Sequence, residues 1–211
     1  MPVTSDQHSL FGADKKLTFL LLCLSTYALL YIKIVFIENE TAAFQFLEDR
    51  PEGSLFQLLN TLRVVSVPLV YLWKFTVIGF VVWVGCFLFG YRVSFSQSWG
   101  IAVVAEFIFL LPEIVKIIWF MFIETDPTYD RVSGFYPLSL MNLFDYYEID
   151  KRYRYPLRAI NLFELFYWFT LVAGVHFFAR KEKKIAVYIV LGSYVLLFLL
   201  WLAFYVMVYN G

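Results

Sequence analysis

The chain has 211 residues, 61% of them hydrophobic and 16% charged, with 24 Phe, 15 Tyr and 6 Trp. So little charge on so apolar a chain excludes an ordinary soluble domain and makes the bilayer the solvent that the sequence fits. Seventeen basic residues balance seventeen acidic ones, which excludes the basic footprint of a nucleic-acid binder.

Residues 1–16 read as a short cytoplasmic segment, and residues 17–211 as one membrane domain. The first apolar run, 17–37, contains Cys23 in the stretch LLLCLS. It lacks the small residue that a lipobox places before its cysteine and is too long and aromatic for a cleaved signal, so it is expected to be retained as a span. The following loop breaks at Pro51 and Gly53. Its Leu55, Phe56, Leu58, Leu59 and Leu62 recur at helical spacing, as in a separate helix lying on the membrane surface.

Further apolar runs cover 64–90, 99–123, 159–179 and 185–209. At about 1.5 Å per residue each reaches across a hydrocarbon core of roughly 30 Å. The predicted fold is therefore all-α: a polytopic bundle of five transmembrane helices with interfacial segments in the outer loops. Lys15, Lys16, Arg92, Arg180, Lys181, Lys183 and Lys184 crowd the short connections on one side. Arg50, Arg63, Arg131, Lys151, Arg152, Arg154 and Arg158 are spread through the long loops on the other. By the positive-inside rule the amino terminus is cytoplasmic, and an odd number of spans puts the carboxyl terminus across the membrane.

Charges within the spans carry the functional question. Glu106, Glu113 and Lys116 fall within an arc of about 80° on the third helix. Pro112 interrupts that helix, frees the carbonyl of Ile108 and predicts a kink at which a neighbouring helix or a water serves the carbonyl. Lys33, Lys74 and Glu164 complete a balanced set of three cations and three carboxylates. An unpaired charge near the bilayer centre costs at least about 2.5–3.5 kcal/mol, so pairing is expected. The expected partners are Lys74 or Lys33 with Glu164, and Lys116 with Glu113. His176 is the only other titratable candidate at the depth of Glu106. Lys33 and Lys116 are also expected to snorkel to the near interface.

Between the third and fourth spans, Tyr146, Tyr147, Arg152, Tyr153, Arg154 and Tyr155 form a Tyr- and Arg-rich stretch. It suits an interfacial belt or a surface that binds a partner. Only two histidines are present, His8 and His176, so a His-rich metal site cannot be built. No HExxH, GxSxG, Walker or GxGxxG motif occurs, so neither an enzyme nor a cofactor is expected.

The stretch NLFELFYWFTLVAGVHFFARKEKKIAVYIVLGSYVLL, with Asn161, Phe163, Trp168 and Gly174, then a basic turn and Ala186, resembles the end of a Yip-domain membrane protein. The third span, broken around Leu111, Pro112 and Glu113, is similar to that family's middle helix, and the likeness covers residues 64–209. The resemblance implies a five-helix domain with a cytoplasmic amino terminus and a compact bacterial member in the inner membrane. Eukaryotic relatives bind small GTPases through a long amino-terminal region that the present sequence does not show.

Two functional readings follow. In the first, the protein is a non-enzymatic subunit that binds or assembles another membrane protein, or further copies of itself, within the lipid bilayer. In the second, it is a small transporter or channel-like subunit. Lys74, Glu113, Lys116 and Glu164 then line an outward-facing cavity, with Glu106 as a proton site.

Overall fold

The computed structural model describes residues 10–38, 51–125, 127–146, 148–180 and 182–209. Their secondary structure is helical, with one isolated β-bridge between Ser139 and Asn161. Asp14 opens α1 (Lys15–Lys33) by accepting from the Lys16 amide, and a π-helical turn, Ile34–Glu38, continues it. The next helix, α2, runs unbroken from Pro51 to Leu88. Proline is tolerated at a first helical position because its missing N–H has no intrahelical partner there. Pro68 lies inside the helix without ending it, so the surface helix expected over residues 55–62 is instead continuous with the second span.

A tight turn reverses the chain. Gly90 takes φ 75°, and its amide and that of Tyr91 bond the carbonyls of Phe87 and Cys86, closing the helix end in a Schellman arrangement. Ser94 and Gln97 then exchange hydrogen bonds in a capping box that starts α3 (Phe95–Glu106). A 3₁₀ turn, Phe107–Phe109, separates α3 from α4 (Leu110–Phe122). The long loop holds α5 (Tyr129–Gly134), a 3₁₀ turn at Leu140–Leu143 and α6 (Lys151–Ala159). Asn161 caps α7 (Leu162–Ala179) by accepting from the Glu164 amide, and Arg180 ends it in the left-handed region at φ 52°. The last hydrophobic stretch comprises α8 (Lys183–Val190), a π-helical turn at Leu191–Val195 and α9 (Leu196–Val208).

Among the described residues, four helical stretches are long and apolar enough to cross a membrane: Lys15–Glu38, Leu58–Leu88, Leu162–Ala179 and Lys183–Val208. The third predicted span is two shorter helices in succession, α3 and α4, neither of which is long enough alone.

Small residues let these helices approach closely. A Cβ on Gly174 would lie 2.5 Å from Ile101 Cγ2, and one on Gly85 would lie 2.7 Å from the Ser193 side chain in the last π turn. This is how helices pack where water supplies no hydrophobic drive. Leu22, Phe75, Ile101, Tyr167, Leu171 and Ile189 are fully buried in one cluster. A smaller cluster, Ile37, Ile117, Phe120 and Val132, lies toward the long loop. Lys33 on α1, and Glu106, Glu113 and Lys116 along α3 and α4, occur between the two clusters.

Candidate functional site: a charged cavity in the helix bundle

Glu106 is the last residue of α3, 3% exposed, and the helix tightens into a 3₁₀ turn immediately after it. Its Oε1 accepts from Lys74 Nζ at 2.6 Å, and its Oε2 has no hydrogen-bond partner. The ammonium of Lys74 also sits 4.7 Å from the centroid of the Phe109 ring, a cation–π contact that the 3₁₀ turn makes possible. Fully buried Tyr167 packs its ring 5.0 Å from Phe109, and its hydroxyl is likewise without a partner.

The expected pairing is thus corrected. Lys74 serves Glu106 rather than Glu164, and His176 is exposed in the last turn of α7. The reason is register. Lys74 is 16 residues into Leu58–Leu88, about 24 Å along the helix at 1.5 Å per residue, which brings it level with the end of α3.

Lys33 bonds Glu113 Oε2 at 3.1 Å, and Arg63 holds Glu38 at 3.1 Å. Glu113 is therefore taken by α1, not by Lys116 on its own helix. Lys116 is 5% exposed and donates 3.0 Å to the backbone carbonyl of Phe135. Neither lysine snorkels, because α5 and the segment after it cover the ends of α1 and α4. Glu164, also buried, accepts at Oε1 from Trp168 Nε1 at 2.8 Å and from the Tyr194 hydroxyl at 3.0 Å. Its partners are neutral.

Pro112 is buried, and the distortion that it enforces is the whole turn Phe107–Phe109. The amide of Leu110 reaches back to the carbonyls of Phe107 and Ile108. The carbonyl of Ile108, which Pro112 leaves without its usual partner, thus meets a backbone donor of its own helix.

These groups surround open space. A cavity of about 520 Å³ is walled by Thr26, Leu29 and Leu30 of α1, Arg63, Tyr71 and Lys74 of α2, Phe109, Leu110 and Glu113 around the broken helix, and Asn161 and Glu164 at the start of α7. Tyr194 and Phe198 of the last stretch and Tyr136, Tyr155 and Arg158 of the loop complete it. A second cavity, about 340 Å³, is lined by Lys33, Glu38, Arg63, Glu113, Lys116, Val132, Phe135, Tyr136 and Arg158. The two share Arg63, Glu113, Tyr136 and Arg158. Non-α turns border the space on three sides, contributing Glu38, Phe109 and Tyr194. Such turns recur at functional positions because they re-aim side chains and release backbone groups. Tyr136, in the loop, has its phenol pushed well above the usual tyrosine range by burial, with the Glu113 carboxylate adding to the effect.

The sequence placed Lys33, Lys74, Glu106, Glu113, Lys116, Glu164 and His176 in one network; the structure puts Lys33, Lys74, Glu113, Lys116 and Glu164 on the cavity walls, Glu106 behind Lys74, and His176 away from both cavities. It missed Glu38, Arg63, Arg158, Tyr136 and Tyr194. Glu38, Arg63 and Arg158 lie just outside the predicted apolar runs, and only the amphipathic pattern of the first loop hinted that Arg63 is helical.

The Tyr- and Arg-rich stretch is mostly used within the chain. Arg154 stacks 4.2 Å over the Tyr146 ring and donates to the Ile149 carbonyl. Tyr155 packs 4.7 Å from Tyr205 and accepts from Trp201 Nε1. Arg152 and Tyr153 are exposed, with Arg152 paired to Asp150 at 2.7 Å, which holds the Asp150 carboxyl below its ordinary range. Tyr147 and His8 lie outside the described residues. Among the described residues no cluster of His, Cys, Asp or Glu suits a metal ion. No family model, curated protein or solved structure matches the chain.

Proposed function

We propose that the protein is a non-enzymatic integral membrane protein of five spans, the third broken at Phe107–Phe109, that binds a charged ligand in its intramembrane cavity. This places it with small carriers and channel-like subunits. The observation that carries the reading is the cavity walled by α1, α2, α4, α7 and α9, with Lys74, the partner of Glu106, on its wall, non-α turns contributing Phe109 and Tyr194 to it, and a third such turn contributing Glu38 to the smaller cavity beside it. Discontinuous helices around a mid-membrane site are the usual way that transporters expose polar groups to a solute. In this reading the membrane is a bacterial inner membrane, the amino terminus is cytoplasmic, and the carboxyl terminus and the cavity mouth are periplasmic. The Yip-like likeness of residues 64–209 is consistent with that topology.

The alternative, a subunit that binds or assembles another membrane protein, draws on the exposed Arg152 and Tyr153. It has less support, since Tyr146, Arg154 and Tyr155 are packed against their own chain. Swelling assays on proteoliposomes in a panel of anionic, cationic and zwitterionic solutes separate the two. Passage of one class, blocked by Leu30→Trp in the cavity wall, supports a carrier or channel. No passage of any, with a stoichiometric protein co-purifying in mild detergent, supports the assembly reading instead.

A further inference from the structure

The larger cavity already shows how this bundle holds an ammonium. Lys74 Nζ bonds the Glu106 carboxylate at 2.6 Å and lies 4.7 Å from the centroid of the Phe109 ring, and both Lys74 and Phe109 line the space. A carboxylate on one side and an aromatic ring on another hold a cation where water is scarce.

Glu164 brings the same two elements to the same cavity. It is 6% exposed and lines the space from the first turn of α7. Its Oε1 accepts from Trp168 Nε1 at 2.8 Å and from the Tyr194 hydroxyl at 3.0 Å, and its Oε2 accepts no hydrogen bond. Two neutral donors on one oxygen fix the carboxylate in place and leave its charge unbalanced. The cations nearby are committed elsewhere: Lys33 to Glu113, Arg63 to Glu38, Lys74 to Glu106, and Arg158 to a partner of its own. Lys116 lines the smaller cavity and donates to the Phe135 carbonyl. Lys74 also acts on Glu164 through space, but one ammonium does not balance two carboxylates. A buried charge in that state is costly, and a positive charge in the adjoining space offsets the cost.

Aromatic rings supply much of the remaining wall: Tyr71, Phe109, Tyr136, Tyr155, Tyr194 and Phe198 all line the space. The Tyr194 ring, whose hydroxyl bonds Glu164, lies 6.3 Å from that of Phe198 and nearly parallel to it. Rings beside an unbalanced carboxylate favour a cation with carbon substituents over a bare hydrated ion, because the ring faces attract its charge while its apolar groups leave water. A volume of about 520 Å³ is that of a small-molecule site.

We propose that the larger cavity binds a small organic ammonium ion, its charge at Glu164 and its substituents beside the rings of Tyr194 and Phe198. This rests on the cavity-based reading above and names its ligand class. Trp168 is the positioning residue: it holds Glu164 Oε1 from behind and does not line the space.

The test is thermal unfolding of the full chain in an uncharged mild detergent with choline chloride, its uncharged carbon isostere neohexanol, potassium chloride or sodium phosphate added. Choline should raise the midpoint where neohexanol does not. Glu164→Gln keeps an acceptor for Trp168 and Tyr194, so it is expected to fold. It should raise the choline concentration needed for the shift at least about tenfold, the scale of one charge-assisted contact. Phe198→Leu should raise it about threefold. An equal shift with potassium chloride, or an unchanged choline response in Phe198→Leu, would overturn the aromatic half of the proposal. No shift with choline, an equal shift with neohexanol or phosphate, or a choline shift that Glu164→Gln keeps would overturn it entirely. Aqueous labelling of Leu30→Cys reports the cavity independently, so a labelled cavity without a choline response rejects the ligand and leaves the cavity reading intact.

Discussion

The pair Lys74–Glu106 has an asymmetry that makes a quantitative prediction. The Glu106 side chain is 4% exposed and that of Lys74 36% exposed, on the edge of the larger cavity. Lys74→Met strands a carboxylate whose Oε2 already has no partner, and breaking a buried pair in this way costs about 3–5 kcal/mol. Glu106→Gln leaves an ammonium that can turn into the cavity, keep its contact with Phe109 and draw on water there. Its cost should be near 1 kcal/mol. In the double variant neither charge remains, so its stability should exceed that of Lys74→Met alone by about 2 kcal/mol or more. Reversible unfolding in mixed micelles, followed by tryptophan fluorescence, measures all three. Simple addition of the two single effects would reject the pairing. A larger cost for Glu106→Gln than for Lys74→Met would reject the assignment of Glu106 as the buried partner.

Two further outcomes follow. Gly174→Ala should destabilise by about 1–3 kcal/mol, because the added Cβ meets Ile101, whereas Gly192→Ala, with nothing within 4 Å, should cost little by the same assay. Outside the spans, the Asp150 carboxyl should titrate below its ordinary range by carbon-detected NMR, and Arg152→Ala should return it upward. Because this pKa is depressed, the bond is complete at neutral pH and is lost as pH falls through the folded-state value. The pair is exposed, so unfolding midpoints should not change with it.

The elements of this fold were legible where hydrophobicity alone decides them. Among the described residues, four of the apolar runs correspond to helices able to cross a membrane. What was not legible was register between helices. Lys74 or Lys33 was expected to serve Glu164 with depth counted from residue 64, whereas the helix continues ahead of that residue and Lys74 pairs with Glu106. The break in the third span was read at Pro112, but the backbone adjusts one turn earlier, where the missing N–H leaves a carbonyl to be served. Glu38 and Arg63 escaped notice because their pairing depends on the turn that ends α1 meeting α2 part-way along its length, which no periodicity reports.

The account depends most on a water-filled cavity open toward the long loop. In a Cys23→Ala, Cys86→Ala background, Leu30→Cys should react with a membrane-impermeant maleimide added to spheroplasts, while Val103→Cys, fully buried in the packed core, should not. Labelling of Leu30→Cys only from the cytoplasmic side, in inverted vesicles, would contradict the proposed orientation. No labelling from either side would contradict the cavity itself.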